Sequence, residues 1–144
     1  DGLEVYIHGY ETEFQYKLNK LIDLEGSFSA TRGENLTDNS PLYYVPPDKI
    51  LLSTEVYLSP FSINLMHKKV FSQNRVGLYE ETTPGYETYN LIGTYTIKST
   101  QAIHKFILQI DNIFDRKYYN HLSRIKSIMP EKGRNIGFQY RLNF

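Results

Sequence analysis

The sequence lacks several features that would place it in a common functional class. Its 144 residues include no cysteine, which excludes disulfides and thiolate metal sites within this chain. Its 16 basic and 16 acidic residues give a formal net charge of zero, so no bulk electrostatic attraction favours nucleic acid. No apolar run approaches the roughly 18 residues of a membrane helix, so any crossing of a membrane would have to use closed β-strands.

Aromatic residues, by contrast, are abundant. The chain contains 13 tyrosines and eight phenylalanines but no tryptophan. This bias is typical of all-β proteins and also of the aromatic girdles of transmembrane barrels. The 40% hydrophobic and 22% charged residues suit a soluble domain equally well, so composition alone does not choose between the two environments.

The last nine residues alternate strictly between two kinds of side chain. The even positions are apolar or aromatic and the odd positions are small or polar: Ile136, Phe138, Tyr140, Leu142 and Phe144 against Gly137, Gln139, Arg141 and Asn143. A period of two predicts a β-strand with one apolar face and one polar face. Such a strand fits the wall of a transmembrane β-barrel, whose outer side is dry and whose lumen is polar.

The same alternation recurs along the chain and predicts about seven antiparallel, up-and-down strands. The other six segments are 10–18, 22–31, 50–58, 61–65, 89–98 and 105–111. Short connections at 19–20, 59–60 and 99–101 alternate with long polar ones at 33–47, 72–85 and 114–133. Outer-membrane barrels sort their connections in this way, with short periplasmic turns and long extracellular loops. Because bacterial barrels have an even number of strands, an odd count predicts further strands elsewhere.

Several short motifs resemble one known family in their order and spacing. They occupy residues 9–13, 31–36, 44–49, 112–119 and 132–136, and the stretch 120–126 followed by Pro130 is similar to a subset of the same family. The family is that of the TonB-dependent outer-membrane receptors of the siderophore, haem and metal uptake type. The resemblance is to the C-terminal part of their β-barrel.

This resemblance implies a location, an activity and a set of partners. Residues 1–144 would be the C-terminal portion of a 22-stranded barrel in the bacterial outer membrane, without the N-terminal plug domain. The receptor would bind a scarce nutrient, such as an iron–siderophore, haem or another metal complex, and import it with TonB-coupled energy. Its partners would be the plug, the TonB complex acting through the plug, the barrel-assembly machinery, outer-membrane lipid and the metal chelate or haem. No resident cofactor and no nucleic acid are implied.

The charged positions of the alternating segments are expected to face the lumen and the plug. They are Glu11, Glu13, Asp23, Glu25, Lys98, Lys105, Asp111 and Arg141. The alternative is a solvated sheet face with no partner, since alternation alone does not separate the two. The apolar rows opposite them would face lipid, or else form the buried side of a soluble sandwich.

Ligand capture is expected on the three long loops. Tyr43 and Tyr44 are candidates for stacking on a ligand, and Gln73, Asn74, Arg75 and Arg124 for recognising an anionic chelate. Their ordinary interpretation is as rim anchors and solvated polar side chains. His121 is a candidate metal or haem ligand, although one histidine without a second ligand does not make a metal site.

Catalysis has little support in the sequence. No Gly-x-Ser-x-Gly elbow, phosphate-binding loop, paired zinc ligands or dinucleotide fingerprint is present. We therefore expect a protein that is not an enzyme. Two alternatives to the receptor stay open: a small complete outer-membrane pore or adhesin, and a soluble β-sandwich or lipocalin-like binder.

The terminal strand also predicts a role in membrane insertion. Tyr140, Leu142 and Phe144 resemble the C-terminal signal that the barrel-assembly machinery reads. We expect Phe144→Asp to lower the amount of the protein in the outer membrane, because a charge replaces the terminal aromatic residue. Immunoblots of membrane fractions and surface labelling measure this amount, with Asn143→Asp as the matched control on the polar row. Equal abundance and surface display of the two variants would contradict the prediction.

Overall fold

The computed structural model describes residues 4–144, which form a single antiparallel β-sheet without a helix. No helix within these residues is long and apolar enough to span a membrane. The strands are β1 (Val5–Lys17), β2 (Ile22–Asn35), β3 (Ser40–Pro41), β4 (Lys49–Leu58), β5 (Phe61–Val70), β6 (Tyr86–Lys98), β7 (Ile103–Asp111) and β8 (Asn135–Asn143). The all-β, antiparallel, up-and-down architecture expected from the alternation is confirmed.

The order of the strands in the sheet follows the chain. It runs β1-β2-β4-β5-β6-β7-β8, with β3 pairing beside the end of β2. The connections between the long strands are short at 18–21, 59–60 and 99–102, and long at 36–48, 71–85 and 112–134. The predicted alternation of short and long connections is therefore present, and the three long connections emerge from one end of the sheet.

The first long connection differs from its prediction. β2 continues to Asn35, and two residues of the segment expected to be unpaired form β3. Glu34 pairs with Pro41 and Asn35 with Ser40, and the Leu42 N–H donates to the Gly33 carbonyl at 3.0 Å. Pro41 is tolerated here because a two-residue edge strand does not need its missing N–H. Proline at this position thus shortens a strand without preventing pairing.

The sheet is open, and the 22-stranded barrel of which it was expected to be a portion is not shown by these residues. β1 and β8 form its two edges, and within residues 4–144 they pair with β2 and β7 only. A closed 22-stranded barrel is not present in these residues. Closure requires the two edges to pair, and edge strands present unpaired N–H and C=O groups that invite another strand.

The pairing register assembles one apolar face across the whole sheet. Phe14 pairs with Gly26, which pairs with Leu52, and further along Phe106 pairs with Tyr140. Directly paired residues of antiparallel strands lie on the same face, so each apolar row adds to its neighbour. We call this side the apolar face. The opposite side, which carries pairs such as Lys105 with Arg141, is the polar face.

The described residues have almost no hydrophobic core. Only Val45, Val70 and Tyr86 are buried hydrophobic residues, and no large side chain is fully buried. The accessible surface is 10503 Å², whereas a compact monomer of this mass would expose about 7,700 Å². On the apolar face Phe138 is 70% exposed and Ile136 is 65% exposed. A contiguous apolar surface of this extent needs an apolar neighbour.

Aromatic rings cluster at the two ends of this apolar face. At the short-turn end, Tyr95 lies between Phe61 and Phe106, with ring centroids 4.7 and 6.3 Å apart, and Phe106 is 5.1 Å from Tyr140. At the long-loop end, the Tyr89 ring is 4.5 Å from His67 and 5.3 Å from Phe114. Between them the face is mostly aliphatic and carries Ile63, Leu65, Leu91, Leu108 and Ile110, with Phe138 of β8 paired beside Leu108. Two aromatic belts therefore border an aliphatic band.

Candidate functional site

The three long loops contact one another at one end of the sheet. The first loop is 36–48, the second 71–85 and the third 112–134, and we call them together the loop cap. Gln73 donates its Nε2–H to the Val45 carbonyl at 3.0 Å, which joins the second loop to the first. The Tyr44 N–H donates to the Glu80 carboxylate at 3.2 Å, and the Lys126 ammonium lies 3.2 Å from the same carboxylate. Glu80 thus connects all three loops.

A buried polar group occupies the centre of the loop cap. It consists of Glu80, Thr83, His121 and Lys126, which we call the Glu80 cluster. The exposed fractions of the Glu80, His121 and Lys126 side chains are 5%, 1% and 9%. His121 Nδ1 lies 3.0 Å from Thr83 Oγ1 and 3.2 Å from Lys126 Nζ. Buried charges require such partners, so the cluster fixes how the second and third loops pack.

The partners of His121 determine its protonation. Because a lysine ammonium only donates, we assign Nδ1 as an acceptor and the proton of the neutral ring to Nε2. Nε2 lies 3.1 Å from Glu80 Oε1, but the angles are too poor for a hydrogen bond, and this buried nitrogen has no partner. Burial lowers the pKa of His121 and the Lys126 charge lowers it further, against the opposing effect of Glu80. The buried imidazole is therefore neutral.

Glu80 is held in its charged form. Burial alone would raise its pKa, but hydrogen bonds from the Gly77 N–H, from Lys126 and from the Tyr44 N–H outweigh burial and lower it. The Gly77 N–H lies 3.2 Å from the carboxylate. A carboxylate that accepts several N–H donors is stabilised as the anion. Glu80 is consequently a fixed negative charge under the three loops.

Side-chain bonds also tie the loops to the strands that carry them. Arg32 of β2 forms a two-pronged ion pair with Asp48, with nitrogen–oxygen distances of 2.5 and 2.7 Å. The Arg32 hydrogen bond lowers the pKa of Asp48. The Arg75 guanidinium contacts Glu34 at 2.5 Å. These pairs close the bases of the first and second loops.

The third loop begins with a tight turn built by an asparagine. Asn112 has a positive φ of 50°, a conformation that asparagine adopts more readily than most residues. Its amide donates to the Arg116 carbonyl at 2.9 Å, and its Oδ1 accepts the Arg116 N–H at 2.9 Å. Asp115 Oδ1 then accepts the Arg134 N–H at 2.7 Å, just before β8. The motif 112–119 therefore shapes the exit from β7.

The predicted ligand-binding residues have different surroundings. Tyr43 and Tyr44 are both exposed in the first loop, and the Tyr44 ring centroid lies 6.0 Å from Lys126 Nζ. Gln73 is buried, and its amide binds the backbone of the first loop. The guanidinium of Arg75 is engaged by Glu34. The donors of Gln73 and Arg75 thus hold the loops together, whereas the two tyrosine side chains are accessible to solvent.

The remaining three predicted ligand-binding residues differ in their exposure to solvent. Asn74 and Arg124 are exposed, whereas His121 is buried in the Glu80 cluster with Nδ1 already engaged. Among residues 4–144, no three His, Cys, Asp or Glu side chains lie close enough to hold a metal ion. The contacts of His121 therefore stabilise the loops, and metal ligation by this residue stays a prediction.

The residues expected to line a lumen all lie on the polar face. Their register partners place them there: Glu11 with Ser29, Glu13 with Ser27, Asp23 with Glu55, Glu25 with Ser53, Lys98 with Ile103, Lys105 with Arg141, and Asp111 with Asn135. They are spread along the face rather than gathered at one point. Tyr140 and Leu142 lie on the apolar face of β8, and Phe144 follows the strand and is fully exposed.

Sequence reasoning did not link Glu80, Thr83 and Lys126 to His121. Thr83 and His121 are 38 residues apart, and Glu80 and Lys126 are 46 residues apart. Loop residues have no periodicity, so no local pattern links such positions. Only the pairing of β5, β6 and β7, which brings the loops to one end, places these side chains together.

The comparisons with known proteins show a similarity of fold. No protein-family model matches the sequence. A solved structure, the copper transporter OprC, superimposes with a TM-score of 0.86 at 21% identity over 96% of this chain. The similarity is one of fold. This chain spans 23% of the length of the OprC chain.

These findings correct the family assignment made from the sequence. The TonB-dependent receptor family finds no matching model, and the solved chain with this fold is described as a copper transporter, in words that name neither TonB nor a siderophore. The structure also gives a physical reason for the error. Arg32, Asp48, Asn112 and Asp115, which belong to the quoted motifs, close the bases of long loops. The residues of those motifs therefore shape the loops, and their contacts do not indicate a coupling mechanism.

The neutral, buried His121 predicts an acid-sensitive loop cap. Its folded pKa is lowered, so its contribution to stability is complete above its ordinary pKa of 6.5 and is lost as the pH falls towards the folded value. Between pH 7.5 and 5.5, hydrogen exchange in loops 71–85 and 112–134, corrected for intrinsic rates, should rise several-fold. The folded pKa of Glu80 is also lowered, so its contribution to stability is complete above its ordinary pKa of 4.5 and is lost only below that value, outside this window.

Two variants test the assignment to His121. His121→Asn should remove the pH dependence, whereas His8→Asn, at an exposed position of β1, should keep it. An unchanged pH profile in His121→Asn would assign the effect to another group.

Proposed function

We propose that this chain is a wall segment of a larger transmembrane β-barrel of the bacterial outer membrane, and that the barrel transports a metal species. The observation that carries the proposal is the apolar face without a core. Its aliphatic band has aromatic belts at both ends, which is the pattern of a barrel exterior between two membrane interfaces. The seven long strands have nine to 14 residues. A tilted strand needs about 9–11 residues to cross a bilayer, so these strands are long enough.

The open edges favour a barrel with more strands. β1 and β8 both carry free ladder groups, which lipid cannot satisfy. Further strands pairing with each edge would close the sheet, and we propose the size class of the 22-stranded transporters, whose lumen is plugged. The polar face would then line the lumen, with lipid on the apolar face and the barrel-assembly machinery acting on β8. We propose no catalytic role.

The proposed cargo rests on the similarity to OprC. A copper transporter shares this fold over 96% of the chain, so copper is the first metal to test. Because residues 4–144 hold no cluster of metal ligands, we propose that this segment supplies the wall and the loop cap. The ligands of the transported metal would lie in other parts of the barrel.

Spin labels can test the membrane orientation of the wall, because the chain has no cysteine to interfere. We expect labels at Leu108→Cys and Phe138→Cys to collide with oxygen, which partitions into lipid. Labels at the matched positions Gln109→Cys and Gln139→Cys should collide instead with a water-soluble nickel complex. The measurement is power-saturation EPR on the protein as the source cells express it, in lipid vesicles. Nickel access to both rows, or immobile and inaccessible labels on the apolar row, would contradict the proposal.

A separate experiment tests the transport of metal. Deleting the gene that encodes this chain should lower cell-associated copper in copper-limited medium, as measured by mass spectrometry of washed cells. A plasmid copy should restore the level, and cell-associated magnesium serves as the control. Unchanged copper in the deletion strain would overturn copper as the cargo, while the EPR result would still decide the membrane wall.

A further inference from the structure

A small cavity lies on the polar face where the sheet meets the loop cap. Its volume is about 240 Å³. The sheet contributes Ser29, Thr31, Lys49, Lys68, Val70 and Tyr86, and the loops contribute Pro46, Pro47, Asn120, His121 and Leu122. Hydrogen-bond donors predominate among the polar members, and none of these lining residues is an aspartate or a glutamate. A cavity with this lining favours a negatively charged occupant.

Two lysines give the cavity its charge. Lys49 pairs with Val70, and Lys68 pairs with Leu51, so the two lysines are diagonal neighbours on one face. Diagonal residues of an antiparallel pair lie roughly 7–8 Å apart, within reach of long side chains. Within residues 4–144, neither lysine forms an ion pair. The charges of two lysines that line one cavity repel each other, and an anion bound between them would relieve this repulsion.

One neighbouring acid bears on this charge balance. Glu131 lines an adjacent cavity together with Lys68 and attracts it. It does not line the cavity that contains Lys49. Glu131 therefore offsets part of the Lys68 charge, and among residues 4–144 Lys49 forms no ion pair.

Neutral donors surround the two lysines. Ser29 and Thr31 bring hydroxyl groups from β2, and Lys68 Nζ sits 5.6 Å from the centroid of the Tyr86 ring. Asn120 Oδ1 already accepts the Leu122 N–H at 3.1 Å, whereas its amide NH₂ forms no hydrogen bond within residues 4–144. Charged and neutral donors around a small space are the arrangement that binds oxyanions.

We propose that this cavity binds a small oxyanion of the carboxylate or phosphate type between Lys49 and Lys68. Its volume is below the roughly 300–1,000 Å³ of sites for drug-sized ligands, so the occupant is a small anion or a single acidic group of one. The site differs from the predicted anion-recognition residues, because Gln73 and Arg75 are engaged within the loops. It does not depend on the proposed transport of copper.

Isothermal titration calorimetry of the detergent-purified protein, as the source cells express it, tests this site. The probes are inorganic phosphate and citrate at constant ionic strength. We expect at least one to bind, and expect Lys49→Gln and Lys68→Gln each to weaken binding about tenfold or more, since each removes a charge-assisted hydrogen bond. Lys68→Arg should retain most of the affinity. Lys98→Gln, on the same polar face at the opposite end of the sheet, is the matched control.

The outcomes separate the possible sources of the anion. Binding of phosphate alone assigns a phosphate-type ligand, and binding of citrate alone assigns a carboxylate-type ligand. No binding of either probe to the unmodified protein would overturn the proposal, as expected if an acidic side chain of the same polypeptide fills the cavity. Equal losses in Lys98→Gln and Lys68→Gln would also overturn it, because the effect would then be one of net charge. Far-UV circular dichroism confirms that each variant is folded.

Discussion

The two-residue period of the strands, kept in register across the whole sheet, is the constraint on which this structure depends. Because each row pairs with a row of its own kind, apolar side chains collect on one face and polar side chains on the other. No second layer covers either face within residues 4–144, and almost no core forms. Backbone hydrogen bonds therefore hold the sheet together, and its surroundings must supply the apolar contact that a core would give.

The loop cap follows a different rule from the sheet. Its three loops are joined by charged and polar bonds, with Glu80 in contact with Tyr44, Gly77 and Lys126. Such networks are stable only when nearly every member is satisfied. His121 Nε2 is the exception. Protonation would occur at Nδ1, which now accepts from Lys126, and the added buried charge beside Lys126 makes the cap sensitive to acid.

Charged side chains are paired in the loop cap but not at the proposed anion site below it. Acidic and basic groups in the loop cap neutralise one another, as Arg32 and Asp48 do at its base. Lys49 and Lys68, just beneath, line one cavity and form no ion pair within residues 4–144. Because the like-charged pair is held by adjacent strands, its repulsion cannot be relieved by moving a loop. A bound anion relieves it, and the position beneath the loops is one that a solute entering past them would reach.

The sequence alone predicted the seven long strands and the sorting of short and long connections, though not β3, because a period of two and a turn signal are local properties of neighbouring residues. It also placed Glu11, Lys105 and Arg141 on the polar side of their strands. It could not determine that Gln73 and Arg75 bind the loops or that His121 is buried, since their partners lie tens of residues away. The Glu80 cluster and the Lys49–Lys68 cavity form only in the folded chain, because register and loop packing bring together residues that no local pattern relates.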